Sequence, residues 1–517
     1  MKKTLISFLY LNIGLLLLQP CSSQNSFPVN YFSSPIDFPI YLAANFAEIR
    51  TDHFHSGLDI KTRGRSGEFI RTVADGHIVR ISVSPGGFGK ALYIKHPNGY
   101  TSVYGHLDKF PPELAQYVKE KQYERQSFSL NIFPGKTDFP VKRGDFIAYS
   151  GNSGSSTGPH LHFEIRETAT ERPTNGLLYG FEIVDRIPPV ITSIVLYPMN
   201  LESSIQGQAG KKIFPVSRSN GKYRLNDTSK ITVRGRIGIG VETYDKLNGV
   251  PNKCGIYSIE VLADGKRFSN TSMNEFAFSE SRYINSYIDY EERQKSGRKI
   301  RKTFIEPNNR LRIYDGTIGN GSLYVDEEET KKIELIINDS YGNTSAIDFN
   351  IKGQVSSPEE EINGKSKNEY LMIMPYQTEN KYSFNGFEIN IPKYALYDSL
   401  YFRLVISPPS KGIYSWVYHV HDRFTPVHKK FMLGIKPENV PDGMEDKLLL
   451  AGFDDKKEIF ARGGEYKNGK VELSTRAFGK YFVSIDTIAP DILPHNFIPG
   501  QDLSNKKKLQ FKVKDNF

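Results

Sequence analysis

Three short elements in the first third of the chain carry residues suited to hydrolytic chemistry. HSGLD (55–59) sets His55 and Asp59 four apart across Gly57, YGHLD places His106 at the end of an alternating stretch, and GPHLHFEI (158–165) holds His160 and His162 one residue apart. On a β-strand, positions i and i+2 share a face roughly 7 Å apart, so His160 and His162 can converge on one small object. Zinc enzymes commonly use three His, Asp or Glu ligands and leave a fourth position to water. An imidazole with a pKa near 6.5 also moves protons at neutral pH. Seven of the eleven histidines fall within the first 162 residues, so a shared metal site is plausible.

Context separates these elements from similar ones. His53/His55 and His419/His421 also form H-x-H pairs. The second, in WVYHVHD, has no partner H-x-x-x-D and no preceding glycine-rich loop, and reads as a structural strand pair. His53 is expected to be a cleft-rim or structural residue, and His77 and His96 surface or turn histidines. No H-E-x-x-H occurs, which removes a glutamate-based metalloprotease mechanism. The glycine-rich GNSGSSTG lacks a following Gly-Lys-Ser/Thr and is not a phosphate loop. It is expected to shape a cleft wall, with Asn152 and Ser155 as hydrogen-bond donors to substrate.

The elements that must position these residues read as short strands. HIVRISVS (77–84) alternates Val79, Ile81 and Val83, and ALYIKH, YTSVYGHL and GDFIAYSG follow between Gly, Pro and Asn turns. Helical periodicity is best over 112–126, with Pro112 at the start and Leu114, Val118 and Tyr123 on a loose apolar face. This stretch lies in an insertion between YGHLD and VKRGD, beside His106, where it would narrow or cover the cleft.

Taken in order, HSGLD, YGHL and GNSGSSTGPHLHFEI resemble the lysostaphin-like or LytM-type zinc metallopeptidases of family M23. ADGHIV, SPGGFGKALYIKHPNG and VKRGDFIAYSGNSG are similar to that family's core as well, so the resemblance covers about residues 40–180. It implies that His55, Asp59 and His162 bind Zn2+, and that His106 and His160 are catalytic histidines facing a bound water. It further implies an exported endopeptidase acting on peptide cross-links of bacterial peptidoglycan.

The rest of the chain reads as envelope protein architecture. Lys2 and Lys3 precede an apolar stretch from Leu5 to Leu18 and a short run of small polar residues, the form of a secretory signal peptide over 1–23. That stretch is shorter than a spanning helix needs, so no transmembrane span is expected after cleavage. A lipid anchor at Cys21 is the rival reading, although Pro20 is a poor residue before it. Cleavage would leave Cys254 as the sole cysteine, so the cores and not disulfides must hold the exported protein. The formal charge of +9 is spread along 517 residues. The densest basic run, 293–302, lacks interleaved aromatics, and no nucleic-acid partner is expected.

The expected fold class is mainly β: an M23 peptidase domain over 24–185 followed by Ig-like β-sandwich modules. VDRIPPVI (184–191) and IDTIAPDI (485–492) form an internal repeat that marks the entrance to a module. Paired alternating runs over 332–353 around Tyr-Gly-Asn suggest a closing hairpin. The expected division is a sandwich over 186–353, a polar linker over 354–369, a second sandwich over 370–485 and the start of a further, incomplete module over 486–517. The sandwiches are expected to act as spacers or as docking units for envelope proteins. Two alternatives stand beside the peptidoglycan endopeptidase: a non-catalytic or autoinhibited envelope scaffold or regulator, and a protease acting on an exported protein.

Overall fold

A computed structural model describes residues 27–227, 230–354, 370–454, 456–506 and 509–515. The signal-peptide segment with Cys21, and linker residues 355–369, lie outside the described residues. Among the described residues no helix is long and apolar enough to cross a membrane.

The N-terminal domain is an antiparallel sheet with further β-rich units C-terminal to it. Its strands are β1 (Leu42–Ala44), β2 (Leu58–Lys61), β3 (Phe69–Arg71), β4 (Gly76–Val83), β5 (Lys90–Lys95), β6 (Tyr100–Leu107), β7 (Leu130–Ile132), β8 (Pro140–Val141), β9 (Phe146–Tyr149), β10 (His160–Glu167) and β11 (Pro173–Thr174). The main sheet runs β1-β2-β10-β6-β5-β4-β7. Alternation on β10 divides its residues by chemistry: Leu161, Phe163 and Ile165 enter the main core, while His160, His162, Glu164 and Arg166 share the other face. β10 lies between β2 and β6, with His162 opposite Asp59 on one side and Gly105 on the other. The central position of β10 thus gathers HSGLD and YGHL around the H-x-H pair.

The insertion after β6 forms helix α1 (Pro112–Glu124), which ends within two residues of the expected limit. α1 buries Leu114 and Val118 in the main core, and β7 extends the sheet beyond β4. β10, β6, β5 and β4 separate β7 from β2. The insertion therefore covers apolar surface and extends the far sheet edge, where the sequence suggested a cover beside His106.

The main core does not stop at the domain's end. Phe46, Phe54 and Leu58 share it with Cys254, Met273, Phe276, Ile284, Tyr287 and Ile288 from the next unit. Phe276 stacks on Phe46 at 5.1 Å between ring centroids and lies 5.5 Å from Phe54. Continuous apolar burial of this kind holds two units as one body.

That next unit is built on the 14-residue strand Ile231–Tyr244. Its first residues pair in parallel with 351–353, and its later ones pair antiparallel with Val190–Pro198. Strands Thr330–Asn338 and Thr344–Gly353 form a hairpin around Tyr341-Gly342-Asn343. A further unit comprises two five-stranded sheets, drawn from 380–475 and 404–485, closed over an apolar core that includes Phe387, Phe402, Phe431 and Phe478. Both copies of the internal repeat make the same local bond. The carboxylates of Asp185 and Asp486 each accept the backbone N–H two residues on, from Ile187 and Ile488.

Candidate functional site

Asp59 sits at the centre of the histidine cluster. Its Oδ1 lies 3.0 Å from His55 Nε2, 3.0 Å from His162 Nδ1 and 3.4 Å from His160 Nε2. Its Oδ2 accepts a bond from Arg50 at 3.1 Å. Burial would raise the Asp59 pKa, but the three histidines around it hold the carboxyl well below the usual carboxylate range. His55 Nε2 and His162 Nδ1 also face each other at 3.2 Å.

The outer ring nitrogens determine which inner ones carry lone pairs. His55 Nδ1 bonds the Asn45 carbonyl at 2.7 Å. A carbonyl only accepts, so Nδ1 carries the proton and Nε2 is left with its lone pair pointing inward. His162 Nε2 bonds Glu164 Oε1 at 2.8 Å, and the same reasoning makes Nδ1 its inward nitrogen, which offers a lone pair once its own proton has left. Two ring nitrogens and a carboxylate oxygen therefore converge, all within 4.8 Å of one another. This donor set, with each histidine oriented from behind by an oxygen, suits a divalent metal of the zinc type.

Glu164 was not singled out in the sequence, although its i+2 spacing from His162 on the same strand face was visible. It is 1% exposed, accepts the Ser56 hydroxyl and pairs with Arg166 at 2.5 Å. Burial opposes its charge, but Arg166 and His162 hold its pKa down to about 2. Gly57 allows the loop to lie close against β10: a Cβ there would lie 2.4 Å from the Phe163 carbonyl and 2.8 Å from Glu164 Cγ.

His106 reaches the site through a break in alternation. Tyr104 and Leu107 both lie in the main core, which a regular strand with period two forbids for residues three apart. His106 takes φ +58°, and the β5–β6 register shifts between Lys90 and Leu92. This irregularity turns its ring to the site face, 4.8 Å from the His160 ring and 5.8 Å from that of His162. His106 Nδ1 donates to the Ser153 carbonyl at 2.8 Å, which leaves Nε2 free. Burial, with smaller contributions from His162 and His160, pulls its pKa down to about 4, so it is neutral at pH 7. His160 Nδ1 is held in the same way by the Gly158 carbonyl at 2.8 Å.

The glycine-rich stretches form the wall. Phe88 stacks under His162 at 4.8 Å, and its carbonyl accepts the His106 N–H. Gly154, at φ +73°, lies so close to the hairpin that a Cβ would meet Gly89 N at 2.3 Å. Ser155 Oγ accepts the Gly87 N–H, so this hydroxyl braces the wall, and Asn152 is exposed beside it.

The remaining histidines lie apart from the site. His53 is exposed and pairs with Asp52. His96 departs from the surface or turn position expected for it: it is 2% exposed and bonds Asp75 O and Ser102 Oγ through its two nitrogens. His419 is exposed on its strand, and His421 lies between Phe402 and Phe478.

The second unit supports the loop that carries His55 from behind. The Asn45 side chain donates to Gly255 O at 2.9 Å and accepts Gly255 N–H at 2.7 Å. Phe54 N–H donates to Ser281 Oγ at 2.9 Å, and Arg282 pairs with Asp52. Long-range partners of this kind leave no mark in local sequence.

Residues 53–123 and 130–175 match Peptidase family M23, and residues 371–486 match the Zu5-like domain. The DD-carboxypeptidase/endopeptidase Mpg of Neisseria meningitidis is 28% identical over 152 residues, covering 29% of this chain and 28% of that protein. The murein hydrolase activator NlpD of Escherichia coli is 33% identical over 112 residues, covering 22% of this chain and 23% of that protein. The chain thus spans less than a third of the length of these curated relatives. A solved structure of LytU is 29% identical, covering 28% of this chain and 77% of that one, with a TM-score of 0.17. The region that carries the histidine cluster, residues 53–123 and 130–175, is thus a peptidase family M23 domain.

Proposed function

We propose that this protein is an exported, zinc-dependent endopeptidase that hydrolyses peptide cross-links of bacterial peptidoglycan in the cell envelope. The observation that carries the reading is the inward convergence of His55 Nε2, Asp59 Oδ1 and His162 Nδ1 beside His106 and His160. In this reading His55, Asp59 and His162 hold zinc, and the other two histidines are catalytic. Zinc, when bound, supplies Lewis acidity toward a water and a scissile carbonyl.

The chain's own residues supply orientation and proton transfer. Glu164 and Asn45 hold the two ligand rings in the tautomers that present lone pairs. His106, neutral with Nε2 free, accepts a proton at that atom, and His160, its ring 4.8 Å away, presents Nε2 3.4 Å from Asp59 Oδ1. His106 then returns the proton to the departing amine, so the cycle closes without net protonation of the protein. We assign the peptidase domain to 24–185 and further modules to 186–353 and 370–485. The modules serve as spacers or docking units in the envelope.

The likeness to a murein hydrolase activator favours a second reading, in which the domain binds wall or partner without cutting. Incubation of the chain from Gln24 with isolated peptidoglycan, with mass spectrometry of released fragments, separates the two. Cleavage is expected, lost in His162→Ala together with zinc. In His106→Ala it falls by about 10²–10⁴-fold with zinc retained. Zinc bound at stoichiometry with the wall uncut would favour the activator or a protein substrate, and absence of zinc binding would overturn the reading.

A further inference from the structure

A second group of converging donors lies at the junction between the peptidase domain and the unit that follows. Asp185 stands where the chain leaves the domain, Asp245 follows the strand Ile231–Tyr244, and Asp339 follows the strand Thr330–Asn338. Each offers a carboxylate oxygen within 4.8 Å of the others, and neither a histidine nor Cys254 joins the group. Asp245 is 2% exposed and Asp339 4%.

Cationic side chains do not account for this charge. Among the described residues, none of the ion pairs between basic and acidic side chains involves these three aspartates. Asp339 is partly satisfied: its Oδ1 accepts the N–H groups of Tyr341 and Asn343, and its Oδ2 accepts the Asn343 amide. By contrast, Asp185 Oδ2 and Asp245 Oδ1 are buried without a hydrogen-bond partner. The hydroxyl of Tyr341, near Asp185 and Asp339, is buried without one too. Orphaned buried oxygens are rare because each costs its full desolvation. Burial and then mutual repulsion push Asp185 up to about 6 and Asp245 up to about 8.

We propose that Asp185, Asp245 and Asp339 bind a hard divalent cation, calcium by preference, which clamps the exit of the peptidase domain to the unit that follows. The donors are all oxygen, which excludes a soft-metal site. Three carboxylates carried by three separate chain segments suit the large, flexible coordination sphere of calcium better than the strict octahedron of magnesium. The cation would tie Asp185 to segments 60 and 154 residues further along the chain. The site lies outside the histidine cluster, and the proposal holds whether or not that cluster is catalytic.

The test uses the full chain, stripped of metals and restored with one equivalent of zinc, titrated with calcium or magnesium by calorimetry and by thermal melting. One calcium per chain is expected, with Kd of about 1 mM or tighter, a rise in melting temperature that grows with calcium concentration, and weaker binding of magnesium. Asp245→Asn and Asp339→Asn should lose the calcium response. Metal-free Asp245→Asn should melt no lower than metal-free wild type, because a neutral amide of the same shape replaces a buried carboxyl that has no cationic partner. That comparison separates loss of a ligand from loss of the fold. Absence of calcium binding to wild type, a full response retained in both variants, or tighter binding of magnesium than calcium would each overturn the proposal.

Discussion

The backbone carbonyl of Asn45 orients His55, while the side chain of the same Asn45 exchanges two hydrogen bonds with Gly255 of the neighbouring unit. One residue thus connects a proposed metal ligand to a module more than 200 positions away. Asn45→Ala keeps the carbonyl but releases its anchor. Its apparent zinc affinity, read by chelator competition, is expected to fall by about 10–100-fold, as for other losses behind a metal ligand. Unchanged affinity would show that the peptidase domain positions His55 without help.

Glu164 stands between His162 and Arg166, with both partners buried. Glu164→Gln keeps an acceptor for His162 but leaves the Arg166 guanidinium without its counter-charge. Breaking a buried pair from one side costs about 3–5 kcal/mol, which denaturant unfolding would detect. A loss below about 1 kcal/mol would mean that Phe278 and Tyr93, whose rings flank Arg166, suffice to hold it.

Zinc binding should depend steeply on pH. Burial favours the neutral His162 ring, but the flanking Asp59 and Glu164 outweigh it and raise the pKa to about 9 in the metal-free chain. A metal at Nδ1 must displace that proton, so apparent affinity should fall roughly tenfold for each unit of pH lowered below about 9. Competition titrations at pH 6, 7 and 8 would give this slope. A flat profile would remove His162 from the ligand set.

His421 predicts acid sensitivity in the C-terminal unit. Packed against Phe402 and Phe478, it is pushed down to about 4, chiefly by burial. The unfolded chain, with a pKa near 6.5, therefore takes up a proton first. Stability from this group is full above pH 6.5 and lost as pH falls from 6.5 toward 4. Between pH 7 and 5 the loss should be on the order of 1–2 kcal/mol. His421→Asn, which suits the left-handed backbone there (φ +49°), should show a correspondingly smaller difference between the two pH values in urea unfolding.

The sequence by itself determined the β-rich character, the two faces of β10 and the residue types of the histidine cluster. Alternation and ligand chemistry are local properties: Leu161 and Phe163 point one way and His160 and His162 the other whatever surrounds them. The tertiary structure alone decided the rest. His106 faces the site because a left-handed residue at a register shift breaks the alternation that would have sent it to the core. The insertion packs into the core because Leu114 and Val118 find apolar partners there. Asn45, Glu164 and Ser281 gain their places from contacts with distant segments, and Asp185, Asp245 and Asp339 converge only once three separated stretches of chain are folded together. Such relationships depend on which strands become neighbours, a long-range outcome of burial that no short window of sequence contains.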